Sequence, residues 1–203
     1  MAINGTAVAV TSVGGLLLYS AVKGHGIGDT ARSLLAGKAV PTDAAGSSGT
    51  AGLQSLLVTP SVSNSGEGMT ASINTYLKGM NFSRAQRAGI MGNMQIESNF
   101  NPTTVSSGGA AVGICQWQGV RRTALQKFAD GIGKVETDLA AQLAFMHLEL
   151  NTAFAPVMVL VRASQNPATV ATVWDSGYEK SAGTSRDARI NAAQSLFVSA
   201  VTA

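Results

Sequence analysis

Glu97 is the first residue in this sequence whose setting could do chemistry. It follows Ile96 and stands three residues before Phe100. Apolar neighbours strip water from a charged carboxyl and raise its pKa. A carboxyl raised toward neutrality can protonate a leaving oxygen, as a general acid does. Hydrolysis would also need a base or nucleophile on the opposite face of the substrate. Glu149, Asp175 and Glu179 are candidates for that second carboxylate, and the sequence does not rank them. Other chemistries have less material. Cys115 is the single cysteine, which excludes an internal disulfide and any multi-cysteine zinc site. No base is paired with it, so it reads as a small buried filler. His25 and His147 lie far apart, which argues against a histidine-rich metal site, and His147, next to Met146, reads as a core-edge residue. No metal or organic cofactor is expected.

The elements that must position these groups are helices. Ser83 and Gln86 form a capping-box pattern, which predicts a helix over 84–98. Asn101-Pro102 closes it, because a residue before proline avoids helical dihedrals. A polar loop of Ser106, Ser107, Gly108 and Gly109 follows. A helix is expected over about 121–130, with Arg121 and Arg122 as solvated helix-start residues or contacts to an anionic polymer. Another is expected over about 136–150, where Leu139, Leu143, Met146 and Leu150 make one buried stripe. Pro156 suits the first turn of a short helix to Val161. Asn166-Pro167 reads as an N-cap and first helical residue, opening a helix through Trp174. Ser185 is expected to cap a last helix ending near Val198. Strand signals are weak and leave room for a small hairpin around 103–117. The fold class is mainly α, or α+β with that hairpin.

Two blocks carry a more specific signal. The first runs Ala88-Gly89-Ile90-Met91-Gly92-Asn93 and on to Glu97-Ser98-Asn99-Phe100-Asn101-Pro102. The second, after the Ser/Gly loop, is Gly113-Ile114-Cys115-Gln116-Trp117. Together they resemble the lysozyme-like superfamily of goose-type lysozymes and lytic transglycosylases, and more closely its phage tail lysozymes, the virion-associated peptidoglycan hydrolases. The resemblance covers about residues 69–197 and implies a lysozyme-like fold. It implies that Glu97 is the general acid acting on a glycosidic oxygen between amino sugars. It also implies that Gly113, Gln116 and the Ser107 loop line the sugar groove, with a structural loop bond as the alternative for Gln116. Trp117 either stacks on a sugar face or belongs to the core. A third landmark, Trp174-Asp175-Ser176-Gly177-Tyr178-Glu179, resembles the aromatic and Tyr-Glu of tail lysozymes. Tyr178 then looks like an active-site tyrosine. Glu179 is either a second acid or a loop anchor paired with Arg186 or Arg189, and Trp174 reads as core. Ala110 and the Tyr178-Glu179 pair depart from the transglycosylase pattern, which weakens that assignment more than it weakens peptidoglycan cleavage.

The whole chain sets the frame. It has 203 residues, 45% hydrophobic and only 12% charged, with net charge +3 and pI near 9.2. That balance permits contact with an anionic polymer but lacks the Lys/Arg stripe of a nucleic-acid binder. Three basic and three acidic residues cancel in residues 1–68, whereas residues 69–203 hold eleven basic against eight acidic. Three regions are expected: an apolar assembly-docking or anchoring segment over 1–40, a Gly/Ser/Ala/Pro-rich linker over 41–68, and a catalytic domain over 69–203. Ala7–Val22 is a mostly apolar run of 16 residues. As a helix it would span roughly 24 Å, short of a ~30 Å hydrocarbon core. It reads as a partner-binding or buried helix, a membrane-inserting segment, or an atypical signal. The resemblance implies peptidoglycan as substrate, tail or baseplate proteins as partners of residues 1–40, and a place in the virion tail. The alternatives are a non-catalytic tail component and a membrane-anchored endolysin or transglycosylase.

Overall fold

The computed structural model describes residues 66–199. The apolar segment and most of the linker expected from the sequence lie outside the described residues. Seven α-helices and one two-stranded sheet make up the described part: α1 (Gly66–Gly79), α2 (Arg84–Ser98), β1 (Ala111–Val112), β2 (Trp117–Gln118), α3 (Gly119–Gly131), α4 (Leu139–Asn151), α5 (Ala155–Ala163), α6 (Pro167–Trp174) and α7 (Arg186–Val198). A π-helical turn, Asp175–Glu179, continues directly from α6. The domain is mainly α, as the sequence implies. Gly66, Glu67 and Gly68, grouped above with the linker, form the first turn of α1.

Helix α2 spans the residues its capping box predicts. Gln86 N–H donates to Ser83 Oγ, and Ser83 N–H donates to Gln86 Oε1 at 2.9 Å. The Gln86 amide also donates to the carbonyls of Arg162 and Ser164, which ties the start of α2 to the end of α5. The helix stops before Pro102 is reached. Asn99 and Phe100 both adopt left-handed dihedrals, and Asn99 N–H turns back to Gln95 O at 2.9 Å. That reversal leaves Glu97 in the last turn of α2.

Two glycines let α2 sit in the middle of the domain. A Cβ at Gly89 would lie 2.5 Å from Val170 of α6, and one at Gly92 would lie 2.7 Å from the backbone nitrogen of Ala193 in α7. No other residue permits that approach.

Helix α4 corrects the expected single stripe. It starts at Leu139, where Asp138 caps it by accepting from Ala141 N–H at 3.0 Å. Buried residues occupy nearly every position from Leu139 to Leu150, so α4 is a central core helix, not an amphipathic one. The hairpin is small: Ala111 pairs with Gln118 and Val112 with Trp117, antiparallel. Asn166 caps α6 through Ala168 and Thr169 N–H. Ser185 does not cap α7 with its side chain; only its carbonyl enters the helix, accepting from Arg189 N–H. Trp117, Phe145, Trp174 and Tyr178 are the largest fully buried side chains of the core.

Candidate active site

A cleft of about 520 Å³ opens where the end of α2, the loop between the strands, the start of α3 and the chain after the π-helical turn meet. Glu97, Cys115, Gln116, Arg121 and Glu179 line it, with Lys180 to Ala182 on one side.

Glu97 reaches the cleft wall in a fixed pose. Arg189 of α7, almost fully buried, donates from Nη2 to Glu97 Oε1 at 2.7 Å. Its Nη1 donates to Asn93 Oδ1 at 3.2 Å. Its Nε lies 3.1 Å from Asp175 Oδ1, an ion pair in which the N–H is not aimed along the contact. Asn93, wholly buried, donates from Nδ2 to the carbonyls of Gly89 and Ala171. Asp175 is buried as well, taking a hydrogen bond from the Ser181 hydroxyl and an ion pair from Arg186 at 3.1 Å. The pose of Glu97 thus depends on three helices. Ile96, expected to desolvate Glu97, is 38% exposed and is not among the residues lining the cleft.

Glu179 faces the same cleft with no cation in hydrogen-bond contact. Its Oε1 accepts from Trp174 Nε1–H at 2.8 Å. Burial, and then the charge of Glu97, push its carboxyl up to about 8, against the pull of Arg121, the Trp174 bond and Arg189. The carboxyl lifted toward neutrality is therefore Glu179. The sequence offered Arg186 and Arg189 as its anchors; both pair with Asp175 instead.

The other candidate carboxylates are held by the fold. Glu149, fully buried on α4, accepts from Trp117 Nε1 at 2.9 Å, from Arg121 Nε and Nη2 at 2.8 Å each, and from the Tyr178 hydroxyl. Arg121 also donates to Tyr178 O at 3.0 Å and stacks over the Tyr178 ring at 4.5 Å. Its charge is fixed by Glu149, so its guanidinium holds its proton well above the usual arginine range. Arg121 is thus no solvated helix-start residue, whereas Arg122 stays partly exposed in the first turn of α3 and pairs with Glu136.

This network corrects two placements. Trp117 is fully buried against Phe145, with its N–H committed to Glu149, so no indole face is open to a sugar. Tyr178 is likewise fully buried between Phe154 and Trp174, with its hydroxyl turned to Glu149. Trp174 is in the core, as its sequence reading had it.

The loop between the strands forms the other wall. Gly113 has φ +81°, and a Cβ there would lie 2.4 Å from the Gln142 amide. Gln142 accepts from Ile114 N–H at 3.0 Å and donates to the carbonyls of Pro102 and Glu136. Gln116, itself left-handed, donates to Thr104 O and Gly113 O while lining the cleft. It thus holds the loop from a position on the cleft wall. Gly113 shapes this wall from behind. Ser107 is in the exposed turn beyond the hairpin and is not among the residues lining the cleft. Cys115 lines the cleft but is buried, and burial pushes its thiol far up, which fits an inert filler. Among the described residues no cluster of three or more His, Cys, Asp or Glu side chains could hold a metal ion.

The sequence reading passed over Gln142, Asn93 and the hold of Arg189 on Glu97. A signal existed for one of them: Gln142 and Glu149 are polar residues seven apart in a mostly apolar helix, hence on one face.

A central glutamate helix, a small hairpin loop and a two-carboxyl cleft define a lysozyme-like helical domain. The phage tail lysozyme family model matches residues 69–198, and the chain belongs to that family. Membership points to a phage-associated peptidoglycan hydrolase of the virion tail. Comparison with curated proteins and with solved structures gives no match.

Proposed function

We propose that residues 69–203 cleave the glycan strand of peptidoglycan by general acid–base catalysis in the cleft of Glu97 and Glu179. The chain acts as a component of the phage tail or tail tip, docked into neighbouring tail proteins by residues 1–40, and opens the wall during infection. One observation carries the catalytic reading. Of the three candidate second carboxylates, Glu179 alone lines the cleft with Glu97, and the two differ in partner: one ion-paired, one not. Paired carboxyls in unlike surroundings are the equipment of glycosidic bond cleavage. Gln116 supplies a polar groove contact, and Lys180 brings a positive charge to the cleft for an anionic polymer.

The test is mass spectrometry of fragments released from purified peptidoglycan by the full chain, beside Glu97→Gln. The wild type is expected to release muropeptides and the variant to lose about 10²–10⁴-fold in rate. Reducing ends identify a hydrolase, and 1,6-anhydro ends a transglycosylase. A folded wild type that releases nothing from a range of wall types overturns the reading.

A further inference from the structure

We propose that Lys180 is a specificity-determining residue of this cleft: it binds a carboxylate carried on the lactyl arm of a muramyl sugar, and so sets a preference for muramyl strands over uncharged amino-sugar strands. The inference deepens the reading of the cleft as a glycan-cleaving site and rests on it.

Charge along the cleft is mostly cancelled from within. Its titratable lining residues are Glu97, Cys115, Arg121, Glu179 and Lys180. Glu97 has Arg189 at 2.7 Å. Arg121 has Glu149 at 2.8 Å. Burial, and then the charge of Glu97, push the Glu179 carboxyl up to about 8, so at neutral pH it holds its proton and adds no charge. Burial keeps the Cys115 thiol neutral as well. Lys180 is left as the one cleft-lining charge with no counter-charge among the described residues. Its Nζ lies 5.3 Å from the centroid of the Phe154 ring, a contact that steadies an ammonium without neutralising it.

The backbone that carries Lys180 is anchored. Lys180 adopts left-handed dihedrals, φ 54° and ψ 37°, where the chain leaves the π-helical turn. Its N–H donates to Asp175 O, and Ser181 N–H donates to the same oxygen at 3.1 Å. The Ser181 hydroxyl donates to the Asp175 carboxylate, which Arg186 and Arg189 hold from α7. The exposed side chain of Lys180 thus rises from a fixed wall. An ammonium without an internal partner gains most from an anion brought by the substrate. The sugar rings of a peptidoglycan strand are uncharged. The anion sits on the lactyl arm of each muramyl sugar, as the lactyl carboxylate itself or as the carboxylates of a stem peptide attached there. A chitin-like strand lacks that arm and leaves Lys180 unpaired, which is a difference in affinity between the two substrates.

Initial rates of the full chain at pH 7 on soluble strands test the assignment. The substrates are peptide-bearing strands and strands freed of peptide by an amidase (which exposes the lactyl carboxylate), each with its carboxylates free or amidated. The wild type is expected to show a kcat/KM roughly three- to tenfold higher on free than on amidated carboxylates, carried by KM, the scale of a partly exposed charge-assisted contact. Lys180→Gln is expected to lose that preference and to treat both forms as the wild type treats the amidated one. Lys180→Arg is expected to keep it. Lys127→Gln, at an exposed lysine of α3 outside the cleft lining, removes the same net charge and should match the wild type. A preference confined to peptide-bearing strands assigns the contact to the stem peptide, and one that persists on peptide-free strands assigns it to the lactyl carboxylate. A wild type without preference, or a Lys180→Gln variant that keeps it, overturns the proposal, as does a loss in Lys127→Gln as large as in Lys180→Gln. A wild type that cleaves none of the substrates removes the glycan reading and this inference with it, whereas an active wild type whose preference does not depend on Lys180 removes the inference alone.

Discussion

Glu179 is kept in a place that works against folding. In the unfolded chain its carboxyl titrates near the ordinary 4.5, and in the folded protein burial and the charge of Glu97 push it up to about 8. Between those values the folded state binds a proton that the unfolded state has released, so stability falls as pH rises from about 4.5 to about 8 and is level beyond. Glu179→Gln removes the titrating group while keeping an acceptor for the Trp174 N–H. The variant is expected to be more stable than the wild type, slightly at pH 5 and fully at pH 8.5, as seen in the difference between their Tm values. A difference that does not widen with pH would sink the claim. This feature was half legible in the sequence. Glu179 stood out beside Tyr178 by resemblance, but its charge state depends on where Glu97, Arg121 and Arg189 arrive in space. Glu97 and Arg121 are 82 and 58 positions away and Arg189 is ten positions on, in the next helix, and local pattern cannot place them. Tyr178 shows the converse. Its motif drew attention to a residue whose ring and hydroxyl both serve the core.

The site's precision comes from how the elements pack. Gly92 is the contact through which α7 approaches α2, one turn from the Arg189 that reaches Glu97. Alanine at an ordinary helical glycine is worth about 1 kcal/mol in propensity. At Gly92 its Cβ would sit 2.7 to 2.8 Å from Ala193 backbone and side-chain atoms, none of which is a flexible tip. Overpacking of that kind costs about 1–3 kcal/mol. Gly92→Ala is therefore expected to lower stability, and to lower muralytic activity further by moving Arg189 off Glu97. Gly79→Ala, with nothing within 4 Å, is the control that should be neutral or stabilising. Denaturant midpoints compare the two, and a stabilised Gly92→Ala would show that the helices have room to part. Helix α4 makes the same point in polar form. Glu149→Leu strands Arg121, Trp117 and Tyr178 donors around a buried site, and removal of one partner of such a pair costs about 3–5 kcal/mol. A loss under about 1 kcal/mol, the scale of an exposed pair, would mean that water reaches Arg121 and replaces the carboxylate. Local signals did well at this scale: the Ser83–Gln86 box and the Asn166-Pro167 start are short-range chemistry. Helix α1 also had its signal, in Met69, Ile73 and Leu77 at helical spacing, within a stretch read only as the start of a helical domain. The π-helical turn had none, because its wide bond from Lys180 N–H to Asp175 O accompanies the burial of Asp175 beneath two arginines.

Across the whole molecule, the described helices close their own core. The buried side chains of α1 through α7 form one hydrophobic cluster, and α1 joins it through Ile73 and Leu77. The carboxyls, the arginine clamp and the groove loop all come from residues 93–189. A fragment of residues 66–203 should then fold on its own, unfold cooperatively, and match the full chain in Tm within a few degrees and in rate on purified peptidoglycan. The remaining residues 1–65 carry the apolar run Ala7–Val22. If that run is the tail-docking segment, phage assembled with the fragment in place of the full chain should lack it in purified virions, although the fragment is active in solution. Recovery of the fragment in virions at the full chain's copy number would move the docking surface onto the catalytic domain. There, the exposed Val159 and Leu160 of α5 are the apolar residues to examine first. A fragment that unfolds well below the full chain would instead give residues 1–65 a share in the catalytic domain's own stability, and tail attachment would then be coupled to the stability of the enzyme.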